Sequence, residues 1–253
     1  MPNARSMVKS LHSPVEKSHK GENGKLLIIG GSRQYHGAPV LSILAARRFV
    51  DLVYFHPGED DSRLIDAVKR IPEVIVLEDL KRASEMDCIL FGVGLGKTRP
   101  GLGRLDGKKL VVDGDGLKRI KNRIPKGAVL TPHEGEFKML FGKDGSKENV
   151  KAMAKKHKCT ILKKGPADVI SDGKEVIVND VHNQGMTKGG TGDVLAGLVA
   201  ALCCKNGMFE AAVAGALITG NAGNMLAKKY GYNYCASDLA DALSESIMKL
   251  REK

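Results

Sequence analysis

The sequence predicts an α/β fold: a mostly parallel central sheet with helices on both faces and a small antiparallel hairpin portion. Three observations carry this. Short apolar runs alternate with helical patterns of about 10–15 residues between Leu26 and Leu130. Each run ends in a polar or glycine-rich loop, as strands that feed crossovers in a parallel sheet do. After Cys159 the alternation stops, and three short strands are followed by helices.

Residues 1–18 are polar, contain two prolines and show no clear helical or strand period, which predicts a loose N-terminal tail or a peripheral strap. Leu26–Ile29 reads as a buried strand that runs into Gly30-Gly31-Ser32 and then a helix from about Pro39 to Val50, with proline suited to a first helical turn. Leu52–Phe55 and Val74–Leu77 read as strands on either side of a helix near Ser62–Arg70. Cys88–Gly92 leads into G-V-G-L-G, and Leu110–Asp113 into D-G-D-G-L and a basic helix reaching about Arg123. Val129–Leu130 runs into T-P-H-E-G-E-F. Cys159–Leu162, Val169–Ser171 and Glu175–Val178 are short strands, the last two joined through Asp172-Gly173, a hairpin signal. Helices follow at Asp193–Cys204, Phe209–Lys228 and Ser237–Lys249, with Ser237 as a candidate N-cap. No linker or low-complexity stretch divides residues 19–253, so one domain is expected there.

With 253 residues, 42% apolar and 27% charged, the chain has the composition of a globular enzyme large enough to bury a full core. It has neither an apolar run of membrane-spanning length nor a signal-peptide core, so a cytoplasmic protein without membrane contact is expected. The five cysteines lack CxxC spacing and fit reduced thiols. A net charge of +11 comes from dispersed lysines; with 4% aromatics and no tryptophan, this argues against nucleic-acid binding and for a surface biased towards anionic substrates.

The run that organises the chemistry is Lys188–Leu198, K-G-G-T-G-D-V-L-A-G-L. Its glycines lead a loop into a helix N-terminus, where free amides and the helix dipole together favour phosphate. Asp193 stands at that point, where the dipole favours its ionised form, and suits a base for a hydroxyl about to be phosphorylated. A glycine turn followed by an N-terminal helix carboxylate accounts for the run equally well. His133 can bond a substrate amide or phosphate, and Glu136 can hold a Mg²⁺-bound water; the same stretch also reads as a proline turn and an acidic N-cap region for Phe137–Phe141. HEGEF is not HExxH, so its spacing does not suit a zinc protease. Lys163–Asp168 (K-K-G-P-A-D) offers amides and ammonium groups to a nucleotide phosphate, or forms a basic surface turn. Asp113 and Asp115 can help a metal, orient a ribose, or serve as turn residues.

Taken together, the motifs resemble the ribokinase-like NAD(P)H-hydrate dehydratases. The similarity runs from about His19 to the C-terminus through H-K-G-E-N-G-K-L-L-I-I-G-G-S (19–32), Y-H-G-A-P (35–39), G-V-G-L-G (92–96), V-V-D-G-D-G-L (111–117), T-P-H-E-G-E-F (131–137), K-K-G-P-A-D (163–168) and N-Q-G-M-T-K-G-G-T-G-D-V-L-A-G (183–197). The V-V-D-G-D-G-L stretch has glycines where the family usually has alanines. The resemblance implies that Ala38, Gly94, His133 and Asp193 contact the hydrated nicotinamide cofactor. It further implies that Lys164, Gly165, Pro166, Ala167, Asp168 and Gly192 hold ADP or its product AMP, with amides of Gly190, Thr191 and Gly192 on the transferring phosphoryl group. Asp193 would be the catalytic base, in a phosphorylation followed by elimination that restores NADH or NADPH.

The same resemblance implies Mg²⁺, an ADP or ATP donor, a dimer or tetramer, and a separate hydrate epimerase, since no epimerase domain fits before residue 19. Two other readings share parts of the pattern. A vitamin-precursor kinase of the hydroxyethylthiazole or pyridoxal type would carry the glycine–Asp loop but tends to have Asn where this chain has His133. A non-catalytic nucleotide-binding module would have no need of Asp193.

Overall fold

The computed structural model describes residues 2–98 and 108–252. The strands are β1 (Lys25–Gly30), β2 (Leu52–Pro57), β3 (Val74–Val76), β4 (Cys88–Phe91), β5 (Lys109–Val112), β6 (Val129–Leu130), β7 (Thr160–Lys163), β8 (Asp168–Ser171) and β9 (Val176–Asn179). The helices are α1 (Pro2–Lys9), α2 (Gly37–Ala46), α3 (Ser62–Lys69), α4 (Asp115–Ile120), α5 (Glu134–Phe141), α6 (Lys147–His157), α7 (Thr191–Lys205), α8 (Met208–Tyr230) and α9 (Ala236–Glu252). Among the described residues the strands form one sheet in the order β3-β2-β1-β4-β5-β6-β7-β8-β9. Pairing is parallel from β3 through β7 and antiparallel at β7–β8 and β8–β9, the α/β arrangement that the sequence pattern predicts.

Strand residues alternate between two cores, as a sheet covered on both faces requires. Leu26, Ile28, Phe55, Leu90 and Val111 pack with α1, α2, α7, α8 and α9. Leu27, Ile29, Phe91, Val112 and Ile161 pack with α4, α5 and α6. Strand order reverses between β1 and β4, so the loops after these strands diverge and leave a crevice at their C-terminal ends. Gly31 donates its amide to Val93 O (2.7 Å) across that crevice, and Ser32 Oγ donates to Gly94 O (2.9 Å).

Several elements differ from the sequence expectation. Residues 2–9 form α1 instead of a loose tail: Ala4, Val8 and Leu11 stand at i, i+4 and i+7 spacing and are buried in the same core as α8 and α9. Arg251 Nη2 donates to Leu11 O (3.1 Å), and His12 N to Asn206 Oδ1 (2.8 Å), fastening the segment. Helix α2 ends at Ala46, four residues before Val50, so that the chain can turn into β2 at Leu52. Helix α6, unassigned above, buries only Val150, Met153 and Ala154 among charged residues, with Ser146 capping its N-terminus. Ser237 lies inside α9; the amide of Cys235 bonds Asp238 Oδ2 (2.7 Å) at that helix start. Four cysteines are buried and Cys235 is exposed, all as free thiols. Among the described residues no helix is long and apolar enough to cross a membrane.

Candidate active site

The crossing of α2 and α7 sets the position of Asp193. Gly197 permits it, since a Cβ there would lie 2.3 Å from Ser42 O. Ser42 Oγ then donates to Asp193 O (2.8 Å), fixing the first turn of α7 against α2. Gly190 is the N-cap at φ 93°, a left-handed conformation that glycine adopts freely, and any side chain there would meet Leu41 and Ala236. Thr191 Oγ1 shares its one proton between Met186 O (2.7 Å) and Lys188 O (2.9 Å), so its hydroxyl closes the loop. The Thr191 amide also turns back towards Lys188 O at 3.4 Å, which leaves the amides of Gly192 and Asp193 as first-turn donors without an intrahelical acceptor.

Three carboxylates surround the ammonium of Lys164, which enters from the end of β7. Asp113, at the end of β5 and 4% exposed, accepts from Lys164 Nζ and from Thr131 Oγ1, both at 2.7 Å. Burial lowers the basicity of Lys164, but Asp113, Glu136 and Asp193 outweigh it and raise its pKa. Asp193 is pushed up to about 7, chiefly by burial and also by the Asp113 charge, with Lys164 opposing. This corrects the expectation that the helix dipole keeps Asp193 ionised: desolvation wins, and the carboxyl titrates near neutrality. Burial likewise raises Glu136, with Lys164 and the His133 amide pulling the other way.

His133 is the N-cap of α5. Its Nδ1 accepts from the amides of Gly135 (3.0 Å) and Glu136 (3.3 Å), and Glu136 Oε2 accepts from His133 N (2.9 Å), completing a capping box. The neutral ring therefore carries its proton on Nε2, 3.6 Å from Glu136 Oε2. The cap reading and the ligand reading of this turn are thus both open to the same residue, one at each ring nitrogen. Asp115 belongs to α4 as a turn residue, accepting from Gly96 N (2.8 Å) and pairing with Lys118.

A cavity of about 400 Å³ brings together His133, Lys164, Gly165, Pro166, Asp168, Thr191 and Gly192. Lys164 Nζ hangs over the α7 N-terminus, 3.4 Å from where a Gly192 Cβ would stand. Asp168 accepts from Gly165 N and Asn179 Nδ2, both at 3.1 Å, and burial raises its pKa. Ala167 shares the β7–β8 turn but does not line the cavity, and neither does Glu136. Ala38 and Gly94 lie together in the β1–β4 crevice, where a Gly94 Cβ would stand 2.9 Å from Ala38 Cβ. Ala38 is one helical turn before Ser42, so α2 links that crevice to Asp193. The cavity also recruits Met186, Thr187 and Leu195, which the 183–197 motif contains without an assigned role, and Val181, His182, Ala216 and Thr219, which lie in no motif.

The profile of the NAD(P)H-hydrate dehydratase family matches residues 26–245. The chain belongs to that family. Among dehydratase relatives, the bifunctional NAD(P)H-hydrate repair enzyme Nnr of Methanocaldococcus jannaschii is 37% identical over 266 residues, covering 96% of this chain and 52% of the relative. The ADP-dependent (S)-NAD(P)H-hydrate dehydratase of Cenarchaeum symbiosum is 39% identical over 261 residues, covering 92% and 91%. The chain thus spans about half the length of bifunctional relatives and nearly all of a single-function one. The dehydratase fold itself is matched by the ADP/ATP-dependent NAD(P)H-hydrate dehydratase of Bacillus subtilis, co-crystallised with ATP/Mg²⁺, at a TM-score of 0.86, 24% identity and 97% coverage of both chains.

Proposed function

We propose that this chain dehydrates the S-epimer of hydrated NADH or NADPH at the expense of ADP, releasing the repaired cofactor, AMP and phosphate. The observation that carries the reading is Asp193: a carboxyl with pKa raised to about 7, in the first turn of α7, beside the Lys164 ammonium and the Gly192 end of the cavity. A general base is most effective when its pKa lies near the working pH.

In this mechanism the hydrated ring enters the Ala38–Gly94 crevice, and His133 Nε2–H donates to it. Asp193 takes the proton of the ring hydroxyl as its oxygen attacks the terminal phosphoryl group of ADP, and AMP leaves. The Gly192 amide and the Lys164 ammonium face the charge that accumulates on the transferring oxygens. The ring nitrogen's lone pair then expels phosphate, breaking the carbon–oxygen bond to leave a ring iminium, and loss of a proton from the adjacent ring carbon restores the dihydronicotinamide. Phosphorylation matters because hydroxide leaves poorly and phosphate leaves readily. The turn from Lys164 to Asp168 holds the remainder of the nucleotide.

Mg²⁺ fits this site as an ion carried mainly by nucleotide phosphates. Among the described residues no three His, Cys, Asp or Glu side chains converge on a metal position, and Mg²⁺ commonly takes one or two carboxylates plus phosphates and water. Glu136 would hold it through water, and its charge would neutralise phosphate oxygens. The soluble substrates suit the cytoplasm, and hydrate of the other epimer would need an epimerase. An assembly of two or four copies completes this reading.

The test is to mix the purified chain with acid-prepared NADH hydrate, Mg²⁺ and ADP or ATP, and to follow the dihydronicotinamide absorbance band. Nucleotide-dependent return of the band is the expected result, and the faster donor identifies the co-substrate. Nucleotide consumption with thiazole or pyridoxal alcohols, without return of the band, would instead favour a vitamin-precursor kinase.

A further inference from the structure

The cavity has two chemically different ends. Lys164 and the first turn of α7 make one end positive, whereas Val181, Met186, Leu195 and Ala216 make the other apolar. Helix α8 lets the Val181–Met186 segment close over the apolar end by lacking side chains: a Cβ on Gly220 would strike Val181 O at 1.9 Å, and one on Gly223 would strike Met186 Sδ at 2.7 Å.

Thr219 is the polar exception on that wall. It is 2% exposed, and among the described residues its Oγ1 has no hydrogen-bond partner. A helical threonine ordinarily satisfies itself on a carbonyl one turn back, which Thr219 does not do. Arg119 Nε shares this condition, but Arg119 anchors Gly96 O and Thr98 O through Nη2 and does not line the cavity. A buried hydroxyl left without a partner destabilises the free chain, so its presence in the wall of a ligand cavity is best explained by a partner that the ligand brings.

We propose that Thr219 reads the nucleobase of the phosphoryl donor. The inference rests on the nucleotide reading above and deepens it. With the phosphates at Lys164 and Gly192, the base of the same molecule falls at the apolar end, its faces against Met186 and Leu195. Its edge carries ring nitrogens and an exocyclic group that lose water on entry and need a partner. A threonine hydroxyl both donates and accepts, and in a helix it occupies either of two χ1 wells, so rotation brings Oγ1 to the ring edge.

The experiment compares the wild-type chain with Thr219→Val, which replaces the hydroxyl by a methyl group, and Thr219→Ser, which keeps it. Calorimetry measures binding of ADP and of pyrophosphate, which offers phosphates without a base, and thermal unfolding is recorded without ligand. Thr219→Val is expected to weaken ADP about three- to tenfold, to leave pyrophosphate unchanged, and to raise the Tm of the free chain. Thr219→Ser keeps ADP binding within about twofold of wild type. Equal ADP affinity in Thr219→Val, or an equal loss for both ligands, overturns the proposal. If Thr219→Val does not fold, Thr219→Ala provides the same comparison of the two ligands. A wild-type chain that binds pyrophosphate but not ADP also overturns it, and one that binds neither removes the nucleotide reading itself.

Discussion

Lys164 Nζ lies 2.7 Å from Asp113 Oδ1 and 3.4 Å from the position of a Gly192 Cβ, so one ammonium joins the end of β5 to the first turn of α7. The residues it joins come from distant parts of the chain, and the parallel sheet brings them to one edge. Burial, helped by the Asp113 charge and opposed by Lys164, makes Asp193 a neutral-range acid at that point.

Asp193→Asn keeps the shape of the first turn and removes the base. Turnover is expected to fall about 10²- to 10⁴-fold while ADP affinity stays near wild type. In the wild type, kcat/KM should rise with pH through about 7 as the free-enzyme carboxyl ionises. Steady-state kinetics with NADH hydrate and calorimetry with ADP check both, and an intact turnover number in the variant would remove Asp193 from the mechanism.

The same carboxyl links stability to pH. Its folded pKa is raised from 3.8 to about 7, so between those values the folded chain binds the proton that the unfolded chain has lost. Stability from this group is therefore complete below 3.8 and disappears as pH rises through 7. Asp193→Asn carries no such charge and should gain Tm over wild type at pH 8 but little at pH 4.5. Each kcal/mol relieved corresponds to about 2–4 °C in a chain of this size. Thermal unfolding of both proteins at the two pH values is the measurement.

Lys164→Met removes the cation that Asp113, Glu136 and Asp193 share. Breaking a buried pair costs about 3–5 kcal/mol, and the 20% exposure of the Lys164 side chain brings the expectation down to about 1–3 kcal/mol. The loss should be greatest at pH 8, where Asp193 is ionised, and should shrink at pH 5 as Asp193 takes up its proton. ADP binding should weaken together with stability. A pH-independent loss would mean that packing of the lysine stem, not its charge, is what matters.

Residues whose chemistry is visible in their type were legible in the sequence. Glycine loops after β1 and β4, His133 with Glu136, Lys164 to Asp168 and Asp193 all fall at strand ends or helix starts, where a parallel sheet gathers ligand-binding groups. Thr219 and Ala216 were not, because ordinary helix residues acquire a role only when α8 passes beneath residues 181–187. The short period of Ala4, Val8 and Leu11 was hidden by the polar residues around it, and it takes the apolar faces of α8 and α9 to give α1 a place to dock. The ionisation of Asp193 was misjudged for a related reason: the dipole at a helix start can be read from sequence, but the burial that opposes it depends on neighbours far along the chain.

Gly94 tests the crevice separately from the nucleotide cavity. It sits at φ 64°, and a Cβ would lie 2.6 Å from Tyr35 O and 2.9 Å from Ala38 Cβ. Gly94→Ala should cost about 1–2 kcal/mol in backbone strain and push the Tyr35–Ala38 segment outward. The KM for NADH hydrate should rise with little change in ADP affinity. If ADP binding falls equally, the two ligands do not occupy separate parts of the site.

His133 performs two tasks that substitution can separate. Nδ1 caps α5 by accepting from Gly135 and Glu136, while Nε2 carries the proton available to a ligand. His133→Ala removes both, so a stability loss of about 0.5–2 kcal/mol should accompany the loss of substrate binding. His133→Asn restores a good N-cap acceptor, with a side chain too short to reach as far as Nε2. Its Tm should return close to wild type while the KM for NADH hydrate remains raised. Recovery of both properties would assign the residue to the helix cap alone. Recovery of stability without recovery of KM would separate the cap from a ligand contact, and would explain why a turn that needs only an acceptor here carries an imidazole.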